Sequence, residues 1–312
     1  NETVVPQAVV RHSQMVQLGM SWIRMASWAG RSLAGIALTT AVVWGGVLGR
    51  ASHAAEDKQT EVKTGQLGPV QAQVTATRDP DAGICATAAQ LRILRSGQVV
   101  HEQSLSQLDG FCNIIEVMVK NLDLDGEPEI IVDNFSGGAH CCVSSWIYHY
   151  NATAKRYAFT RHDWGNAGYR LEDLETSLYR PSDLGRGQVN GLEFRTRDDR
   201  FAYAFASYAG SLYPIQIWRF RQGRMLNVTR QYPQLVRASA YQNWLLYEQT
   251  KDSIDGGRAA LAAYLADKYM LGEATDGWQR VQSAYRASDR TKFFADLRAF
   301  LRTTGYTAIP QR

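Results

Sequence analysis

The chain has 312 residues, 45% of them hydrophobic and 21% charged, with a formal net charge of +4. That is room for one large or two modest globular domains with a sizeable core. The basic excess belongs to residues 1–54: without them 30 basic and 29 acidic residues remain, and no basic patch points to nucleic acid.

Residues 1–54 hold four arginines, one acid and no lysine. Arg24 and Arg31 precede a 16-residue apolar run, Leu33–Leu48, and small residues follow at Ala51-Ser52-His53-Ala54-Ala55. This is the pattern of a secretory signal with an extended n-region, cleaved after Ala54 or Ala55. The run falls short of the ~20 residues a spanning helix needs, so no stable membrane span is expected after cleavage. A secreted or periplasmic protein follows.

Residues 55–68 are polar and read as a flexible linker. Residues 69–236 read as β-rich. Val70, Ala72, Val74 and Ala76 fall on one face of an alternating strand. Arg78–Gly83 makes a turn, Leu91–Leu94 and Val99–His101 form a hairpin around Ser96-Gly97, and Asp109-Gly110 leads into a strand with Cys112. The segment Val117–Cys142 then reads as strand, acidic loop, strand, glycine turn and cysteine pair.

In that segment Asn121, Asp123, Asp125 and Glu129 stand at relative positions 1, 3, 5 and 9, with Gly126 at 6. A hard cation such as Ca2+ takes six to eight oxygens, and the glycine permits a sharp turn around it. The Glu127 carbonyl can supply position 7. A hairpin alone needs only Asp-Gly between apolar strands; the additional acids repel one another unless a cation sits among them. Position 12 is Val132 and the flanks are strand-like, so the loop is not an EF-hand, and its affinity is expected near the 10^-4 to 10^-3 M of extracellular modules.

At these residues the sequence resembles the calcium loops of FG-GAP and VCBS-type repeats, in which D-x-[DN]-x-DG-x-x-[DE] joins two strands of a propeller blade. The resemblance covers about 35 residues and implies that Asn121, Asp123, Asp125, Glu129 and the Glu127 carbonyl are Ca2+ ligands. Asn121 replaces the usual Asp. The wider layout, with GGAHCC after the loop, resembles uncharacterised secreted bacterial proteins, cyanobacterial ones among them, and brings no activity with it.

Val143–Tyr150 and Tyr157–Thr160 continue the strands. Residues 169–223 then look like a worn copy of 119–155. Leu171–Glu175 aligns with Val119–Asp123 and Leu192-Glu193-Phe194 with Pro128-Glu129-Ile130, an insertion replacing the short turn. Asp173, Glu175 and Glu193 are a weaker second ligand set, without the loop glycine. Phe201–Tyr208 alternates aromatic and small residues as a strand would, and Ile215–Phe220 with Gln222-Gly223 completes a hairpin. These are two or three blade-like units, short of the four that close a propeller. An open or stacked antiparallel assembly is expected.

From 237 to 312 the period becomes helical. Ser239-x-x-Gln242 reads as a capping box, and helices follow at 255–270, 275–287 and from 289 onward, where Phe293, Leu297, Phe300 and Leu301 share a face.

Cys85, Cys112, Cys141 and Cys142 are an even set in an exported chain, which indicates disulfides. Strand neighbours point to opposite faces, so Cys85 and Cys112 are each expected to pair with one of Cys141 and Cys142; a vicinal bridge is the alternative. No G-x-S-x-G, H-E-x-x-H or phosphate-cradling loop is present. His140 beside Cys141 and Cys142 offers a base and nucleophile only on paper, and Asp163, Asp173, Asp198 and Asp199 could supply a carboxylate pair for glycan hydrolysis.

The sequence therefore predicts an α+β protein with a blade-like, open propeller-like antiparallel region and a C-terminal helical region. It reads as an exported, calcium-stabilised binding or structural protein of the cell envelope, its partner an unidentified protein or glycan. The alternative is a secreted hydrolase whose active site is unplaced.

Overall fold

The computed structural model describes residues 58–139, 141–174, 191–253, 255 and 257–311. The expected leader at 1–54 lies outside them. Among the described residues no helix is long and apolar enough to cross a membrane.

The described strands form three four-stranded antiparallel sheets, each joined in chain order. The first contains β1 (Gln59–Leu67), β2 (Val70–Arg78), β3 (Ala88–Arg95) and β4 (Gln98–Ser104). The second contains β5 (Asn113–Lys120), β6 (Glu129–Gly138), β7 (Cys141–Asn151) and β8 (Arg156–Gly165). The third contains β9 (Arg170–Glu172), β10 (Glu193–Arg197), β11 (Ile215–Arg221) and β12 (Arg224–Asn227).

β1 corrects the expected linker at 55–68. It pairs with β2 from Gln59↔Arg78 to Leu67↔Val70. Its sequence, QTEVKTGQL, is polar because it is a mostly exposed edge strand, where charged residues discourage further pairing. It is nonetheless held against β5. A Cβ at Gly65 would stand 2.8 Å from the Val117 carbonyl oxygen, so glycine there permits the two backbones to approach.

Consecutive sheets share cores. Val70, Ala72, Val74, Leu91 and Ile93 of the first sheet pack with Val117, Val119, Ile130, Val132, Trp146 and Tyr148 of the second. The opposite face of the second sheet contributes Ile131, Ile147 and Trp164, which pack with Phe194 and Phe220 of the third. The second sheet is therefore covered on both faces, which is why Glu129–Asn134 is buried without alternation. At about 25 cal/mol per Å2 of apolar surface, each large aliphatic side chain buried here contributes roughly 1.5–3 kcal/mol.

Four helices follow: α1 (Pro233–Thr250), α2 (Arg258–Met270), α3 (Ala274–Ala284) and α4 (Arg290–Thr303). The fold is α+β. Alanine-rich α2 is the inner helix, buried from Ala259 through Asp267. The first helix starts at Pro233, where a missing N–H costs nothing. Ser239, expected as a cap, instead lies within α1 and donates its hydroxyl to Asp267, 2.7 Å away.

Phe201–Tyr208 is not a strand. Single 3-10 turns occupy Asp199–Phe201 and Tyr208–Gly210. Two of the alternating aromatics dock on the helices instead: Phe201 meets Phe300 and Tyr306 edge-on, and Phe205 meets Phe293 and Phe300, while Tyr203 is exposed beside Tyr208. Packing against a neighbouring element, rather than a pleat, produced the alternation.

Cys85 bonds to Cys112, and Cys141 to Cys142. The expected cross-pairing is thus overturned. Cys85 lies in the loop that returns beside the start of β5, where Ala86 N–H donates to the Cys112 carbonyl oxygen at 2.9 Å. This puts the two cysteines side by side before β7 is reached. The Cys85–Cys112 bridge spans a sequence separation of 27. Replacing both with alanine is expected to lower stability by about 3 kcal/mol, mainly through the entropy of the unfolded chain. Urea unfolding of the double variant checks this; an unchanged midpoint would mean that the bridge only decorates an already closed loop.

Candidate metal centre

Two strands of the central sheet carry the acidic loop. Lys120 pairs with Glu129 at the end of the β5–β6 ladder, which closes residues 121–128 into a connection between them. Within it Asp123 Oδ1 accepts from Asp125 N–H at 3.3 Å and Asp125 Oδ1 from Glu127 N–H at 2.8 Å. These short bonds curl the backbone, with Leu124 and Gly126 at φ +58° and +92°. One carboxylate oxygen each of Asp123, Asp125 and Glu129 then lie within 4.8 Å of one another.

Glu129 is the inner member, 2% exposed. Its Oε2 accepts from the Leu122 N–H at 2.8 Å. Burial pushes its carboxyl up to about 8, the Leu122 bond pulls it back, and the Asp123 and Asp125 charges push it up further. The Asn121 Oδ1 atom is buried with no hydrogen-bond partner. Glu127 sends its carboxylate elsewhere, to Arg95 and to the Tyr157 hydroxyl. Of the predicted ligands the structure thus gathers Asp123, Asp125 and Glu129, with Asn121 at the head of the same loop. Three carboxylates around one point suit a hard divalent cation, and the donors are all oxygen.

The third sheet fastens the loop from outside. Leu192 N–H donates to the Leu122 carbonyl oxygen at 3.1 Å, and Gln222 N–H to Asp123 Oδ2 at 3.3 Å. The approach is close enough that a Cβ at Gly191 would stand 1.9 Å from the Leu122 carbonyl oxygen, and Gly191 also has φ +92°. Only glycine fits there.

The weaker second ligand set has a different fate. Glu175 lies outside the described residues. Glu193 is completely buried and repeats the Glu129 bond, accepting from the Leu174 N–H at 3.2 Å. Its other oxygen receives the Nη2 and Nε hydrogens of Arg219 at 2.7 and 3.0 Å. The guanidinium is the cation at this second position, so Glu193 is committed to an ion pair. Arg219 faces Glu193 across β10 and β11. In the second sheet Ile130 faces Tyr148, and the same register puts His149 opposite Glu129. Burial lowers the His149 imidazole below its ordinary value, against the pull of Asp123, and its Nδ1 is buried without a partner. A neutral imidazole does not replace a guanidinium. Among the described residues no lysine or arginine pairs with Asp123, Asp125 or Glu129. Sequence reasoning missed Arg219; its alignment of Glu193 with Glu129 was the available signal that a buried acid there needs a counter-charge.

Of the candidate hydrolytic acids only the sequence neighbours Asp198 and Asp199 are coupled in charge. Asp163 is held by Arg161 at 2.8 Å, and Asp198 by Arg200 and by the Tyr306 hydroxyl at 2.9 Å. Asp199 faces the backbone N–H groups of Asn166 and Ala167, and Asp173 keeps interactions of its own. His140, the imagined base beside Cys141 and Cys142, lies outside the described residues.

The sll0997 C-terminal domain family matches residues 236–305, the helical region. Over 180 residues the chain is 29% identical to a protein of Synechocystis described as a probable thylakoid lumen protein, covering 55% of this chain and 49% of that one. Over 206 residues it is 26% identical to the uncharacterised protein y4bJ of Sinorhizobium fredii, covering 64% of this chain and 30% of that one. The chain thus spans half or less of the length of these curated relatives. No solved structure matches it.

Proposed function

We propose that the chain is an exported binding or structural protein of the cell envelope, and that Ca2+ in the 121–129 loop stabilises its β region. The observation that carries the calcium reading is Glu129, a buried carboxylate beside two others, with no lysine or arginine among the described residues where its counterpart Glu193 has Arg219. A bound cation supplies that charge and, with Leu192 and Gln222 already on the loop, ties the second sheet to the third. Three four-stranded meanders that share cores favour the blade-like reading of the FG-GAP and VCBS resemblance. Two observations favour export: the Cys85–Cys112 bridge, which persists in oxidising compartments, and the likeness to a protein described as probably of the thylakoid lumen. The partner is a protein or glycan.

Thermal and urea unfolding in EDTA and in about 10 mM Ca2+ test the calcium reading. At an affinity of 10^-4 to 10^-3 M the ion adds about 1.4–2.7 kcal/mol, and Asp125→Ala removes that response. No shift in the wild type, together with no calorimetric binding, defeats it.

A further inference from the structure

A cleft of about 760 Å3 separates the third sheet from α1. Its sheet wall carries Arg170, Arg195 and Arg197, and its helix wall carries Ser239, Gln242 and Asn243; among the described residues no carboxylate lines it. Arg170 faces Arg195 directly across β9 and β10, and Arg197 follows on the same face of β10 by strand alternation. Like charges directly opposite each other destabilise a sheet. Among the described residues only Arg195 is offset, by Glu172 at 2.8 Å. Among the described residues Arg170 and Arg197 have no ion pair, and both are exposed. Of the nearest other acids, Asp199 faces the N–H groups of Asn166 and Ala167 and lies near Tyr213, its Oδ1 buried without a partner, and buried Asp267 takes hydrogen bonds from Ser239 and Asn243. Those last two bonds also fix the helix wall against β11, since Asp267 accepts from the Ile215 N–H at 3.2 Å as well. The cleft is therefore a firm-walled, positively charged cavity of ligand size.

We propose that this cleft binds a small organic polyanion whose oxyanion groups bridge Arg170 and Arg197 across Arg195. Guanidinium forks fit carboxylate and phosphate oxygens bidentately. The apolar wall of Leu212, Leu235 and Leu246 takes the carbon skeleton. The site is separate from the acidic loop and stands whether or not that loop binds calcium.

Calorimetric titration in EDTA at fixed ionic strength, with tricarballylate and with glycerol 3-phosphate, tests this. Saturable binding of either probe is expected; tricarballylate alone identifies a carboxylate ligand and glycerol 3-phosphate alone a phosphoester. Arg170→Gln and Arg197→Gln each weaken the binding about tenfold, in keeping with one lost charge-assisted contact. Glu172→Gln, which frees Arg195, strengthens it several-fold. Arg92→Gln, the same charge change on the first sheet, leaves it unaltered. The proposal is overturned if neither probe saturates by about 20 mM, if the Arg170 and Arg197 variants bind as the wild type does, or if Arg92→Gln weakens binding equally. Because Glu172→Gln acts in the opposite direction to the arginine variants, a folding defect does not mimic the expected pattern.

Discussion

Arg219→Met is expected to lower stability by about 3–5 kcal/mol, the cost of leaving a buried charge unpaired. Glu193 is fully buried and Arg219 is 6% exposed. Arg219 also donates from Nη2 to the Tyr232 hydroxyl at 2.7 Å and from Nη1 to Gln231 Oε1 at 3.3 Å. Methionine keeps the length of the side chain and removes every one of these donors. The loss comes from the stranded carboxylate rather than from an attractive pair, because desolvating two ions offsets most of their attraction. Adding Glu193→Gln to Arg219→Met should therefore recover much of the loss. The double-mutant cycle in urea reads this as a coupling energy. A single-variant cost below about 1 kcal/mol would mean that water reaches Glu193, and the contrast with Glu129 would lose its force.

Asp267→Ala is expected to cost a similar amount, about 3–5 kcal/mol. The carboxylate collects the Ser239 hydroxyl at 2.7 Å, the Asn243 amide at 3.0 Å and the Ile215 N–H at 3.2 Å, which joins α1, α2 and β11. Alanine leaves all three donors without their acceptor, at about 1–3 kcal/mol for each that stays buried. The same residue makes stability depend on pH. Burial pushes its carboxyl up to about 8, against the pull of Ser239, Asn243 and Ile215. The folded protein then holds this proton more tightly than the unfolded chain does. The resulting stabilisation is fully present below the unfolded value near 4 and is lost as pH rises toward 8. Wild-type stability should fall over this window, with a limiting slope for this group of about 1.4 kcal/mol per pH unit. Asp267→Asn, which does not titrate, should show a shallower fall. Parallel pH profiles for the two proteins would show that Asp267 is ionised throughout.

The sequence carried the local features most clearly. Alternation placed Val70, Ala72 and Val74 on the buried face of β2, and Ser96-Gly97 and Gln222-Gly223 marked hairpins that exist. It carried the acidic loop as well, because Asp123, Asp125 and Glu129 are brought together by a connection only a few residues long. What it did not carry depends on distant partners. β1 is polar and reads as linker until β5 is known to lie against it. The aromatics from Phe201 onward imitate a pleat while docking on α4. Ser239 has the chemistry of a cap and the position of a helix interior, where its real partner, Asp267, is 28 residues away. Cysteine pairing failed for the same reason: the argument from opposite strand faces omitted the loop that returns Cys85 to Cys112.

The fastening of the acidic loop by the third sheet sets an order of events as the chain emerges during synthesis. Every sheet joins strands that are consecutive among the described ones, so each can assemble soon after its last strand appears. The loop does not follow that rule. Its carboxylates are all present once residue 129 is made, but Leu192 and Gln222, which hold it from outside, come much later; Gln222 is 99 residues beyond Asp123. Until they arrive the three charges stay open to solvent on one side, where their mutual repulsion is weakest. The third sheet acts as a latch that fastens the loop last, and a chain ending before Leu192 keeps every acid of the loop without it.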